Sequence, residues 1–96
     1  MGHALACLLG LLGLRVGEAC SINIDAFSSE RGHRTVTILG KGSKLAVIPL
    51  PPRVARACDA AAGERTAGPL LLTRAGNRMN PPAASRIVRR LAKAAG

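Results

Sequence analysis

A single aromatic ring, Phe27, is available to the core of a 96-residue chain that has no Trp and no Tyr. Aromatic side chains bring the largest buried areas, so any interior must be assembled from Leu, Ile, Val and Ala, and it will be thin. Hydrophobic residues make up 48% of the chain, enough apolar material for one small domain or part of a larger one. The shortage of rings points to a unit that leans on further chain or on a partner.

Apolar spacing divides the chain into helical and extended stretches. Leu5, Leu8, Leu9 and Leu12 recur at helical intervals, which predicts a helix over 3–12, weakened at its end by Gly10 and Gly13. A short second helix is expected from near Leu14. From Ser21 the texture changes: Ile22 and Ile24 alternate, as do Val36 and Ile38 beside the β-branched Thr35 and Thr37. Turns at 28–32 and 40–43 then make a three-stranded antiparallel meander ending with a strand over 45–50.

Prolines and glycines punctuate the rest. Pro51 and Pro52 close the third strand, and proline suits the first turn of a helix, so a helix over 52–62 is expected with Gly63 as its stop. Residues 69–73 read as a short extended piece and 74–78 as a turn. Asn80 offers an N-cap with Pro81 as first helical residue, opening a helix to Ala95. On it Arg86, Arg89, Arg90 and Lys93 share one face, while Ala84, Ile87, Val88, Leu91 and Ala95 occupy the other. The expected class is therefore α+β, helices packed around a small three-stranded antiparallel sheet, in one unit over 1–96.

Charge narrows the partner. Fourteen Lys and Arg against five Asp and Glu give a formal net charge of +9, an excess that favours an acidic partner, most often nucleic acid. No acidic residue follows Glu64, whereas Arg65, Arg74, Arg78, Arg86, Arg89, Arg90 and Lys93 do, so the basic face is expected to be mostly C-terminal. Cys7, Cys20 and Cys58 are odd in number, widely spaced and without a CxxC pair. They indicate neither a disulfide framework nor a zinc site, and read as reduced, semi-buried thiols of a cytoplasmic protein with no metal and no cofactor. The apolar run over 4–14 lacks a basic segment before it, and Arg15 and Glu18 fall where a signal cleavage site would lie. It is also shorter than the roughly 18 apolar residues that a bilayer span needs, so no membrane partner is expected from it.

Two short stretches carry chemistry. In "GLRVGEAC", Arg15 stands at a helix start just past a glycine break, where guanidinium and helix-start amides both favour anions, and Glu18 three residues on can orient it. Spacing alone favours the plainer reading, a surface ion pair worth a few tenths of a kcal/mol. In "GKGSK" the pattern of a phosphate-binding loop is incomplete, since no glycine lies five residues before Gly40. A hairpin tip carrying Lys41 and Lys44 is left, a shape that can reach into a DNA groove or sit solvated.

Taken in this order, with the meander between them, the two stretches resemble boxes of the tyrosine recombinase (phage integrase) catalytic domain. Gly13-Leu14-Arg15-Val16-Gly17-Glu18 is similar to that family's "TGLRxxE" box. Residues 40–50, "GKGSKLAVIPL", are similar to its "GKGxKxRxVPL" hairpin, and the run from "PLLLTRAGNRMNPPAASRIVRRLAKAAG" to its extended piece, loop and helix. The resemblance implies DNA as partner. It implies that Arg15 is one of two arginines clamping the scissile phosphate, that Lys41 is the hairpin lysine protonating the departing 5′ oxygen, with Lys44 nearby as the other candidate, and that Glu18 holds the helix or Arg15 in place. Fixed cations aimed at the phosphoryl oxygens would stabilise the charge that builds up in attack. On an integrase-like reading Arg86, Arg89, Arg90 and Lys93 can meet the DNA backbone, with a merely solvated basic face as the alternative.

Departures from the family pattern are as informative. Ala26 stands where an aspartate is usual, with Asp25 adjacent, and Ala46 replaces the common arginine of the hairpin. No His-x-x-Arg box and no tyrosine occur within the 96 residues, and without a tyrosine no phosphotyrosine bond can form. The resemblance therefore implies the N-terminal portion of such a catalytic domain, inactive alone, either a degenerate remnant or one piece of a split gene that a complementary recombinase chain could complete. The rival expectation is a small basic interaction protein whose C-terminal amphipathic helix docks on an acidic protein or an anionic membrane surface.

Overall fold

A computed structural model describes residues 1–40, 42 and 44–95, the side chains of 94 and 95 excepted. Helix α1 covers Gly2–Gly10 and α2 Val16–Ser21. A 3-10 turn at Ile24–Ala26 leads into β1 (Phe27–Glu30), β2 (His33–Leu39) and β3 (Leu45–Pro49), followed by α3 (Pro52–Ala62) and α4 (Pro81–Ala95). The class is α+β, as the apolar periodicities indicate.

The three strands form one antiparallel sheet in the order β1-β2-β3, with Phe27 opposite Val36 and Val36 opposite Ile48. Its first turn is tighter than the residue types suggest. Strand β1 runs through Ser28 and Ser29 to Glu30, which pairs with His33. Only Arg31 and Gly32 make the turn, at φ 51° and 80°. Two positive φ values are the sign pattern of a type I′ turn, whose twist matches the flanking strands.

Ile22 and Ile24 are not in the meander. The Ile24 N–H donates to the Gly68 carbonyl at 2.8 Å and the Leu70 N–H to the Ile22 carbonyl at 3.0 Å, with a bridge between Asn23 and Pro69. The extended piece at 69–73 thus pairs with the segment after α2. Alternation marked both stretches as extended, but hydrogen-bond partners a long way along the chain chose the pairing. Helix α1 is also shorter than its leucine spacing implies. The Leu11 and Leu12 N–H groups both turn onto the Cys7 carbonyl, and Gly13 at φ 70° redirects the chain.

Two helix boundaries follow local chemistry. Gly63 ends α3 at φ 61°, its N–H bonded to the Asp59 carbonyl. At α4 the Asn80 Oδ1 accepts from the Ala83 N–H at 2.9 Å. Pro81 and Pro82 have no N–H to satisfy, so one capping side chain serves the first turn.

Helix α1 packs chiefly on α3 and also touches α4, and α2 packs on α4. Leu5, Leu8, Leu70, Leu71, Val36 and Val54 are the largest fully buried side chains, and Phe27 is only partly buried against them. The core is aliphatic, and the lone ring sits at its margin. Cys7, Cys20 and Cys58 are free thiols exposed by only 6%, 4% and 2%, deeper than their expected half-burial. Burial pushes the Cys58 thiol up to about 11, helped by Asp59 and Cys7 nearby. On the outer face of the sheet Leu39, Leu45 and Val47 stay exposed.

Candidate functional site

Arg15 is the residue immediately before α2, in extended conformation, and its side chain is exposed. The Glu18 carboxylate accepts a hydrogen bond from the Arg15 backbone N–H, Oε1 to N 2.8 Å. A guanidinium has no acceptor, so it cannot return the bond that a serine would give, and only the backward half of a capping box forms. Glu18 therefore fixes the backbone at Arg15 without occupying its guanidinium. Among the described residues the ion pair is elsewhere, between Arg34 and Asp59.

Lys44 stands at one end of the sheet, next to the first residue of β3. The Gly40 N–H donates to the Lys44 carbonyl at 2.8 Å, closing the tip beyond the Leu39–Leu45 pair, and the Lys44 side chain is exposed. Lys41, expected to be the hairpin catalytic lysine, lies outside the described residues. Because β1 and β2 are antiparallel, the chain entering Phe27 runs beside the tip half of β2, and the 3-10 turn at Ile24–Ala26 contacts that strand. The connection from α2 and the lysine tip thus share an end of the sheet. Arg15 lies across α2, a six-residue helix about 9 Å long, from that connection. Asp25, beside the alanine that departs from the family pattern, is exposed in this turn.

The C-terminal basic residues do not form one face. Arg65 donates to the Ala61, Ala62, Pro69 and Leu70 carbonyls, closing the C-terminal end of α3 and tying it to the extended piece. Arg78 donates to the Cys20 and Ile22 carbonyls at 3.1 and 3.5 Å and to the Asn23 side-chain oxygen. Both cap helix C-termini, where cations are favoured. The expected C-terminal basic face therefore loses two members to structure. For Arg65 a signal was present, since it stands two residues past the glycine that ends α3. For Arg78 the partners lie some 55 to 58 residues away, and no local pattern announces them.

Arg86, Arg89, Arg90 and Lys93 are exposed on α4, as their spacing requires. The structure then separates them. Arg86 and Arg90 join Arg74 around an open pocket of about 810 Å³, which Arg89 and Lys93 do not line. The opposite face of α4 is in use: Ala84 is buried, Ile87 and Val88 pack against the core, and Leu91 alone is 41% exposed. A membrane or protein surface seeking that apolar face would find most of it covered. No helix among the described residues is long and apolar enough to cross a membrane.

The Arg34–Asp59 pair is bidentate, Nη1 to Oδ2 3.0 Å and Nη2 to Oδ1 2.8 Å, and joins β2 to α3. The hydrogen bonds from Arg34 hold the Asp59 carboxyl below its usual range. Both partners are well exposed, so the contribution is small, roughly 0–1 kcal/mol.

The model of the family described as "Phage integrase family" matches residues 2–96. A putative integrase/recombinase, y4rD, of Sinorhizobium fredii (strain NBRC 101917 / NGR234) is 41% identical over 56 residues, 58% of this chain. That match spans 20% of the relative's length. No solved structure gives a significant match.

Proposed function

The chain belongs to the phage integrase family, and from that membership we propose that residues 1–96 are the N-terminal portion of a tyrosine-recombinase catalytic domain, with Arg15 as a phosphate-clamping arginine. The observation that carries the reading is the state of Arg15: its backbone is pinned by Glu18 while its guanidinium is left exposed at a helix start. A preorganised cation costs no reorganisation when charge develops on a phosphoryl group. Lys44, at the end of the sheet to which α2 connects, is suited to meet the same DNA strand. Lys41 or Lys44 would give a proton to the 5′ oxygen as the P–O5′ bond breaks. The new P–O bond needs a tyrosine oxygen, and the 96 residues hold no tyrosine. On this reading residues 1–96 bind DNA and contribute half a phosphate clamp, and cleavage needs a His-x-x-Arg box and a nucleophile from outside these residues.

The test is complementation. The chain is mixed with the C-terminal half of a related recombinase and offered a nicked suicide DNA, and covalent protein–DNA adduct is read on a denaturing gel. Adduct that depends on Arg15 and is lost in Arg15→Ala supports the reading. Adduct undiminished by that substitution removes Arg15 from the clamp.

A further inference from the structure

We propose that the pocket between α4 and the turn at 72–75 is a docking site for an acidic peptide segment of a partner protein, anchored by an apolar side chain. This goes beyond the DNA-binding reading: neither Arg15 nor Lys44 lines this pocket, and Arg86 and Arg90, expected at the DNA backbone, are assigned to it instead.

Three observations converge on it. The first is charge without compensation. Arg74 from the turn and Arg86 and Arg90 from α4 line one concavity, and no Asp or Glu lines it with them. Like charges gathered in this way repel one another, and an incoming carboxylate relieves the repulsion while accepting forked hydrogen bonds. The second is the floor, formed by Leu72, Met79 and Ile87. A ligand made of phosphodiesters has nothing to place there, whereas a leucine or similar side chain next to acidic residues would fill it. The third is the absence of an aromatic ring from the lining. Single-stranded nucleic acid is usually held by stacking on rings, so a flipped or unpaired base has no platform.

A second copy of this chain is a poor occupant. It carries +9, and of its five acidic residues Glu18 is spent on the Arg15 N–H and Asp59 on Arg34. The partner must bring its own negative charge. The mode is that of an anchor in a pocket with a basic rim, in which the apolar group gives affinity and the arginines select acidic flanks. It also explains why α4 divides its basic residues: Arg86 and Arg90 face the pocket, and Arg89 and Lys93 are left to other surroundings.

The experiment uses the full 96-residue chain and two fluorescein-labelled peptides of equal charge, one built of Glu and Leu at helical spacing and one with Ser in place of every Leu. Fluorescence anisotropy should show saturable binding of the Glu/Leu peptide and at least roughly tenfold weaker binding of the Glu/Ser peptide, the factor expected for burying one aliphatic side chain. Arg86→Ala and Arg90→Ala should each weaken the Glu/Leu peptide about 5- to 10-fold, with Arg89→Ala within about twofold of wild type. Backbone amide shifts on titration should cluster at 72–75 and 83–90. Equal binding of the two peptides overturns the proposal, because the floor is then unused. So does an Arg89→Ala loss as large as that of Arg86→Ala, which would mean a diffuse basic face. A third contrary result is displacement of the peptide by a short DNA duplex whose own affinity falls equally in Arg86→Ala and Arg90→Ala; that would make the pocket part of the DNA footprint and leave the Arg15 reading untouched. The Ser-for-Leu comparison changes only the peptide, so it decides the matter even if a protein variant folds poorly.

Discussion

The Arg78 guanidinium sits over the carbonyl end of α2, its Nη1 3.1 Å from the carbonyl oxygen of Cys20. One side chain thereby joins the turn before α4 to the helix whose other end carries Arg15.

Arg78→Ala should therefore lower stability by about 1–3 kcal/mol, because carbonyl groups at a helix end lose a charged donor. Arg78→Lys should recover only part of this, since an ammonium cannot fork between two carbonyls and the Asn23 side chain. Urea unfolding followed by circular dichroism measures both. Arg78→Ala as stable as wild type would show the contacts to be idle.

Arg15 and Glu18 should separate stability from function. The N–H that Glu18 caps belongs to the backbone, so Arg15→Ala keeps the bond and should shift stability by about 0.5 kcal/mol or less. Glu18→Ala removes it and should cost about 1 kcal/mol. Weaker DNA binding is expected from Arg15→Ala at unchanged stability. If Arg15→Ala instead destabilises the chain as much as Glu18→Ala does, the side chain is structural and the phosphate role fails.

DNA binding should fall steeply with salt as counterions are released. A log–log plot of affinity against salt loses about one unit of slope for each phosphate-contacting cation removed. Lys44→Ala and Arg89→Ala are the informative variants, with Arg65→Ala as the control, since its guanidinium is turned inward onto four carbonyls. A flat salt dependence of the wild type would exclude phosphate contacts.

Cys58 predicts an alkaline limit to stability. Its thiol has an ordinary value of 9.0 and is raised to about 11 in the fold by burial. Below the lower value both states hold the proton and the stability is fully present. Between the two the unfolded chain ionises first, so stability falls as pH rises, by about 1.4 kcal/mol per unit. Unfolding measured from pH 8 to 10.5 should show this slope, reduced in Cys58→Ala. The same slope in that variant would assign it to other groups.

Arg31 occupies a left-handed conformation at φ 51° in the β1–β2 turn. Arg31→Asn or Arg31→Gly should stabilise the chain by about 0.5–1 kcal/mol, since both residues tolerate this region better and suit a type I′ turn. A lower melting temperature in both would mean that the arginine side chain makes up for its backbone.

Part of the candidate site could be read from spacing alone. Arg15 and Glu18 three residues apart at a helix start announce an interaction, but spacing suggests a side-chain ion pair, whereas the Glu18 carboxylate takes the Arg15 backbone N–H and leaves the guanidinium exposed. Lys44 at a hairpin tip follows from glycines between two β-branched runs. The missing part was the division of the remaining arginines. Arg65 follows a helix-ending glycine, but Arg78 looks no different in sequence from Arg74, yet Arg78 caps a helix and Arg74 lines a pocket.

What the sequence determined by itself is what short-range sterics and local hydrogen bonds control. Pro52 opens α3, Gly63 ends it, and Asn80 before two prolines starts α4, because each acts within one turn of backbone. Net charge and the lack of a tyrosine needed no fold at all. Tertiary structure alone decided that Ile22 and Leu70 pair across the chain, that Phe27 stays at the margin of the core, and that α4 turns Arg86 and Arg90 toward Arg74. These outcomes depend on which distant carbonyl or apolar surface arrives first at a given side chain, and a free guanidinium and a capping one differ only in that.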